Sequence, residues 1–187
     1  MATAKLPDIR FVRDCLDYNP DTGVFTWRER PREHFPSDRI WRAWNARLAG
    51  KTTGFVTANS ARRNFVLINL DNRTFKAHRL AWLLVHGRAV PQVIDHINGN
   101  ASDNRIANLR AATKSTNAMN SGVPTNNASG VKGVFHHTKR YPETPFIAYI
   151  SFGGKRHHLG YFRTLEEAAE ARRKAAIAFH REYARHE

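Results

Sequence analysis

Asp95-His96-Ile97-Asn98-Gly99-Asn100, followed by Asp103-Asn104-Arg105, Asn108-Leu109-Arg110 and Asn117, is the stretch on which the reading of this chain turns. Val93-Ile94 reads as a strand that delivers Asp95 and His96 to its end, Asn98-Gly99-Asn100 as a tight loop, and Thr113 to Asn120 as a short capped helix. The local unit is therefore strand, loop, strand, helix. Hydrolysing a phosphodiester needs a base to activate water, a cation to neutralise charge building on the phosphorane and the leaving oxygen, and groups that hold both in line. This stretch holds candidates for each role. His96 can accept a proton near neutral pH, while Asp95 and the amide oxygen of Asn117 are hard oxygen donors suited to a magnesium ion that keeps several waters.

Composition points the same way. The 187 residues carry 30 Lys plus Arg against 16 Asp plus Glu, a net charge of +14, and the isoelectric point is near 10.7. Such a surplus favours a polyanion, because each cation placed near a phosphate releases condensed counterions. A hydrophobic content of 41% is enough for packed cores and argues against disorder throughout. Cys15 is the single cysteine, so there is no disulfide framework and no cysteine zinc site. His34, His136, His157 and His180 show no ligand spacing with a partner, and zinc is not expected. Met1 to Arg13 lacks the apolar run of a signal peptide, and no stretch approaches the ~20 apolar residues of a membrane span. The expectation is an intracellular, cytoplasmic protein with no membrane partner; no oligomer signal is visible, which leaves the oligomeric state open with a monomer favoured.

Upstream of the motif, Asp8 to Tyr18 has helical spacing (Ile9, Val12, Leu16), and Asn19-Pro20-Asp21-Thr22-Gly23 is a turn into a short strand, Val24 to Trp27. The Arg- and Trp-rich stretch Trp27 to Arg47 has no assignment. Phe65 to Leu70 and Thr74 to Ala77 flank Asp71-Asn72, a pair that tolerates positive φ, and predict a β-hairpin. His78 to His86 follows as a short apolar helix closed by Gly87, with His78 and His86 in structural roles.

Downstream, Asn117 to Ser129 is dominated by Asn, Ser, Gly, Pro and Thr and marks a linker, with the boundary near Ser121. Three strand-like runs follow, Val131 to Thr138, Pro145 to Phe152 and Arg156 to Phe162, the last two joined by Gly153-Gly154. Thr164-Leu165-Glu166-Glu167 is a capping box opening a helix to about Tyr183, striped by Leu165, Ala168, Ala169, Ala175, Ala176 and Phe179. If Phe146, Ala148 and Ile150 face that helix, Tyr149 and Ser151 face outward, with Lys132, His137, Arg156 and His158 on neighbouring strands.

The Asp-His-Ile-Asn-Gly run with Asp-Asn-Arg and Asn-Leu-Arg resembles the HNH endonuclease family, in its phage and homing branch. The likeness extends upstream through Ala77-His78-Arg79-Leu80-Ala81-Trp82 and covers roughly Arg63 to Asn120. It implies a ββα-metal fold in which His96 is the general base, Asp95 and Asn117 hold the metal, and Asn108 pins the loop and orients His96. Asn117 stands where many members carry a last His, so the chain resembles the His-Asn-Asn variant; an amide ligand favours Mg2+, with Mn2+ as substitute, over zinc. Arg105 and Arg110 are candidate clamps on the phosphates flanking the break. The segment from Ser129 to about Tyr183 resembles the APETALA-type (ethylene-response-factor-like) DNA-binding domain, in which the sheet lies in the major groove. Here Phe146 replaces the usual Trp, Phe135 and His137 stand in place of Arg, and Arg172 interrupts the helix stripe, so no target sequence carries over.

The expected architecture is thus α+β: an N-terminal α/β extension (1–62) with DNA contact left open, a ββα-metal nuclease module (63–120), a linker (121–129), and a three-stranded antiparallel sheet packed on one helix (130–187). The expected function is metal-dependent endonuclease cleavage of double-stranded DNA to 5′-phosphate and 3′-hydroxyl ends, in the host bacterial cytoplasm if phage-encoded. The alternatives are a DNA-binding regulator whose nuclease site is inert, a structural nucleic-acid protein and, for the C-terminal part alone, a small α+β domain for protein contact or dimerisation.

Overall fold

The computed structural model describes residues 6–57, 64–87, 90–113, 117, 120, 122–124, 126–137, 142–152 and 154–180. The expected boundary at Ser121, most of the helix over 113–120, one half of the Gly153-Gly154 turn and the end of the last helix beyond 180 lie outside them. The chain is mixed α+β and divides into two compact units, Met1–Ala111 and Ala112–Glu187.

In the first unit, Asp8 caps helix α1 (Ile9–Cys15) by accepting from the Arg10 amide at 2.8 Å. The helix is shorter than its spacing predicts because Leu16 opens a strand, β1 (Leu16–Tyr18), while still pointing into the same core. β1 pairs antiparallel with β2 (Phe25–Trp27), and β2 with β3 (Thr52–Thr53). Between them the unassigned Arg/Trp-rich stretch forms a 3-10 turn, Arg32–His34, and helix α2 (Asp38–Leu48), capped by Ser37.

A second sheet joins β4 (Phe55–Val56), β5 (Val66–Leu70) and β6 (Arg73–Lys76). The expected hairpin turns on Asp71 and Asn72 at φ 51° and 56°, the left-handed pair that the right-handed twist of a two-residue hairpin requires. Helix α3 (Ala77–His86) follows without a break, ended by Gly87 at φ 81°. Its buried face (Ala77, Leu80, Ala81, Leu83) meets Val12, Cys15 and Leu16 of the N-terminal segment, Phe25 of β2, Ile68, Leu70 and Phe75 of the hairpin, and Ile94 and Leu109 of the motif. One core therefore serves the N-terminal elements, the hairpin and the motif together. β7 (Val93–His96) pairs with β8 (Leu109–Ala112), with a short 3-10 turn, Ile106–Asn108, just before β8.

In the second unit, β9 (Val134–His136), β10 (Phe146–Phe152) and β11 (Lys155–Phe162) form an antiparallel sheet in the order β11-β10-β9. Helix α4 (Leu165–His180) lies on one face. Its capping box is complete: the Glu167 amide donates to Thr164 Oγ1 at 3.2 Å, and the Glu167 carboxylate accepts from the Thr164 and Arg163 amides. Ala168, Ala175 and Ala176 are buried against Val134, Ala148 and Ile150; small side chains on the helix let it approach the sheet closely. Gly133 is obligatory at φ 78°, since a Cβ there would sit 2.5 Å from the Tyr149 carbonyl oxygen. The last residues of the expected linker are not loose. Asn127 and Ser129 knot the backbone to Val131 and Val134 through side-chain hydrogen bonds of 2.7–3.2 Å.

Candidate nuclease site and nucleic-acid face

Asp95 and His96 stand at the end of β7, 4% and 6% exposed. Their backbone is fixed where the strand ends: the Ile97 amide donates to the Asn108 carbonyl at 2.9 Å, and the Gly99 amide to the His96 carbonyl at 2.8 Å. The loop that follows is a chain of Asx turns, with Asn98 Oδ1 accepting from the Asn100 amide and Asn100 Oδ1 from the Ser102 amide. Asn108 spans this loop from within. Its Oδ1 accepts from the Asn98 amide at 3.0 Å, and its Nδ2 donates to the Asp103 carbonyl at 2.9 Å. Asn98 Nδ2 donates in turn to the Asp103 carboxylate at 2.8 Å.

The N-terminal hairpin braces the far side of the loop. The Tyr18 hydroxyl donates to the Asn104 carbonyl at 2.7 Å, and the Ile106 amide to the Pro20 carbonyl at 3.0 Å. Gly23, at φ 74°, packs so close that a Cβ would lie 2.6 Å from the Arg105 nitrogen.

The two candidate phosphate clamps are both engaged within the chain. Arg105 grips Asp103 with both ends of its fork, at 2.9 and 2.6 Å, holding that carboxyl down at about 2. Arg110 donates through Nε and Nη2 to one Asp95 carboxylate oxygen, at 2.9 and 2.8 Å. Arg110 is thus the closest cation to the candidate ligand.

Sequence reasoning left His78 as a structural residue of its helix, and the structure places it against His96. The two rings meet edge-on with centroids 5.0 Å apart, and Phe65 packs beside both. His78 is 5% exposed, and its Nδ1 is buried with no hydrogen-bond partner among the described residues. Burial, and secondarily the neighbouring His96, Lys76 and Arg79, push its pKa down to about 3, so it is neutral. A histidine on an apolar helix face gives no sequence signal of this neighbour.

Asn117 lies in helical backbone, its amide donating to the Thr113 carbonyl at 3.0 Å. It belongs to the second compact unit, while Asp95, His96 and Asn108 belong to the first. Among the described residues no three His, Cys, Asp or Glu side chains gather in one place.

In the second unit, the sheet face opposite α4 carries a run of rings and cations. Arg156 stacks over Tyr149 at 3.8 Å and over Phe135 at 5.0 Å. His158 lies against both Tyr149 and Tyr161, at 5.2 and 4.8 Å. Cross-strand register pairs Tyr149 with His158 and Ser151 with Arg156, across a bulge after Ala148. Of the expected outward residues, Tyr149, Ser151, Arg156 and His158 share this face, and exposed His137 ends β9 with its amide on the Pro145 carbonyl at 2.7 Å. Lys132 sits in the turn before β9. Sequence reasoning missed Phe135 and Tyr161, whose alternation with buried Val134 and half-buried Phe162 was the available signal.

A family model described as HNH endonuclease matches residues 75–119, a span that holds Asp95, His96, Asn108, Arg110 and Asn117. The match supports a nuclease acting on nucleic acid and, as in HNH nucleases generally, the use of a divalent metal ion. No curated protein and no solved structure matches the chain. No helix among the described residues is long and apolar enough to cross a membrane.

Proposed function

We propose that this chain is a DNA endonuclease of the phage or homing type, cutting double-stranded DNA at a ββα-metal site centred on His96 and holding its substrate with the C-terminal sheet. The observation that carries the reading is the joint placement of Asp95 and His96 at a strand end, under a loop pinned by Asn108, within the segment matched by the family model.

His96 takes the proton of the attacking water, and the water oxygen adds to phosphorus in line with the 3′-oxygen. The bond to that oxygen breaks, and the 3′-oxygen takes a proton from solvent water, leaving 5′-phosphate and 3′-hydroxyl ends. Asn108 keeps the His96 backbone and the loop in one geometry, a positioning role. A divalent ion, magnesium or manganese, held by Asp95 and the Asn117 amide oxygen would neutralise charge on the phosphorane and the leaving oxygen. Arg110, released from Asp95 when the carboxylate takes other work, is placed to pair with a phosphate oxygen. Arg105 acts through Asp103 on the loop, and any phosphate contact it makes is in addition to that pair.

On the C-terminal sheet, Arg156 and His158 meet backbone phosphates while Tyr149 contributes apolar and hydroxyl contact, with Lys132, His137 and Ser151 at the edges. Two attached DNA contacts raise the effective concentration of cutter beside reader. One such site cuts one strand, and the monomer is the working unit. The setting is the cytoplasm of a bacterial host.

The rival is a DNA-binding regulator, and one observation favours it: Asp95 is paired with Arg110 within the chain. Incubating the full chain with supercoiled and linear plasmid, with magnesium, manganese or chelator, separates the two. Metal-dependent open circle or linear product supports the nuclease. Tight DNA binding with intact plasmid under every condition leaves the regulator.

A further inference from the structure

The Arg/Trp-rich segment that defied assignment builds a cleft of about 730 Å³ on the first unit, away from the Asp95–His96 loop. One wall is aromatic. Trp27 and Trp44 meet edge-to-face at 5.2 Å, and Phe35 lies 5.6 Å from Trp44. The opposite wall is the tip of the β5–β6 hairpin, where Asp71 and Asn72 are exposed in the left-handed turn.

At the base of the cleft sits Arg30, 9% exposed. Its guanidinium lies over Phe35 at 4.9 Å and Trp44 at 5.1 Å, and its Nε donates to His34 Nδ1 at a long 3.5 Å, with the Cys15 thiol as the other polar neighbour. Among the described residues no carboxylate pairs with it, and neither terminal amine donates to an oxygen. A fixed positive charge is costly to bury without a carboxylate partner, and here the Arg30 guanidinium, which among the described residues bonds only His34 and the Cys15 thiol, lines an open cleft. The Arg30 backbone is locked meanwhile: Trp41 Nε1 and Asn45 Nδ2 both donate to its carbonyl, and its amide donates to Asn45 Oδ1. The segment thus holds one guanidinium rigidly in place.

We propose that this cleft binds an unpaired guanine base of the nucleic-acid substrate. The walls supply what a base needs: flat rings for stacking, a guanidinium fork for the O6 and N7 acceptors, and a carboxylate, Asp71, for the N1–H and N2–H donors of the adjoining Watson–Crick edge. Phosphate alone fits poorly, because Asp71 would repel it. Exposed Arg47 on α2, next to the lining residue Leu48, adds positive charge suited to the flanking backbone. The proposal takes from the nuclease reading only that the ligand is nucleic acid.

The test follows tryptophan fluorescence of the full chain, without metal, titrated with dGMP, dAMP, dCMP, dTMP and inorganic phosphate. Saturable quenching by dGMP at a concentration at least tenfold below the other nucleotides is expected, with 7-deaza-dGMP, which lacks the N7 acceptor, at least fivefold weaker. Asp71→Asn, which suits the same left-handed turn and spares the fold, should erase the preference for guanine. Equal response to all four nucleotides, competition by phosphate at the same concentration, no quenching, or a preference unchanged in Asp71→Asn each overturns the assignment. Since no metal is present and no bond is cut, a chain that fails to cleave DNA but passes this test leaves the cleft standing, and the reverse result leaves the nuclease standing.

Discussion

Removing the Asn108 side chain should damage stability and turnover together while sparing DNA affinity. Asn108→Ala deletes two hydrogen bonds, from the Asn98 amide and to the Asp103 carbonyl, made by a side chain that is 8% exposed. At ~0.5–1.5 kcal/mol net for each bond, and with the freed partners on an exposed to half-buried loop where water can replace Asn108, the loss of stability is about 1–3 kcal/mol. Turnover should fall further than stability, because a ~1 Å drift of the loop that carries His96 can cost ~100-fold in rate. Asn108→Asp, which can still accept from the Asn98 amide but cannot donate to the Asp103 carbonyl, should fall between. The assay pairs urea unfolding with initial rates of plasmid nicking, taken where every variant is folded. A variant that unfolds at the wild-type midpoint and nicks at the wild-type rate would refute the pinning argument.

Other residues bear on the same frame. Gly23→Ala forces a Cβ to within 2.6 Å of the Arg105 backbone at φ 74°, and should lower both the melting temperature and cutting although it lies in the N-terminal hairpin; unaltered cutting would show that the hairpin does not brace the loop. Arg110→Leu removes the guanidinium that pairs with Asp95 at 2.8 Å, and breaking such a buried pair costs ~3 kcal/mol; denaturant unfolding checks this, and added magnesium should recover part of the loss. Between its ordinary value of 6.5 and its depressed value of about 3, His78 binds a proton only in the unfolded chain. Stability should therefore fall by up to ~1.4 kcal/mol per pH unit on this account as pH drops below 6.5. His78→Gln should remove that slope between pH 6 and 4, and a wild-type slope in the variant would contradict the burial argument. Arg156→Ala should reduce the salt dependence of DNA binding by about one counterion and weaken affinity at every sequence alike; an unchanged salt slope would take the sheet face out of the DNA interface.

The sequence was most legible where a local rule has one physical solution. Asp71-Asn72 between two apolar runs admits little but a tight hairpin, and Thr164 with Glu167 forms the reciprocal cap it spells out. Alternation also placed Ala148 and Ile150 toward α4 and Tyr149 and Arg156 away from it. Legibility failed where one side chain satisfies two periods at once. Leu16 continues the helical stripe of Ile9 and Val12 and also begins β1, so the helix reads longer than it is. Helix α2 went unread although Ile40, Trp44 and Leu48 recur at helical spacing, because that stripe is short, is set among arginines, and covers a cleft rather than a buried core. The nuclease motif could be read down to its loop, since Asn98, Asn100 and Asn108 work through short-range hydrogen bonds. His78 beside His96 and Arg110 on Asp95 depend on how α3 and β8 pack, which spacing along the chain does not encode.

The most direct measurement is the cleavage of supercoiled plasmid in magnesium by the wild-type chain and by His96→Ala, with DNA affinity and its salt slope determined in parallel. The account predicts relaxed or linear product from the wild type, no product from the variant, and the same affinity and slope for both. Equal cleavage by His96→Ala would contradict it.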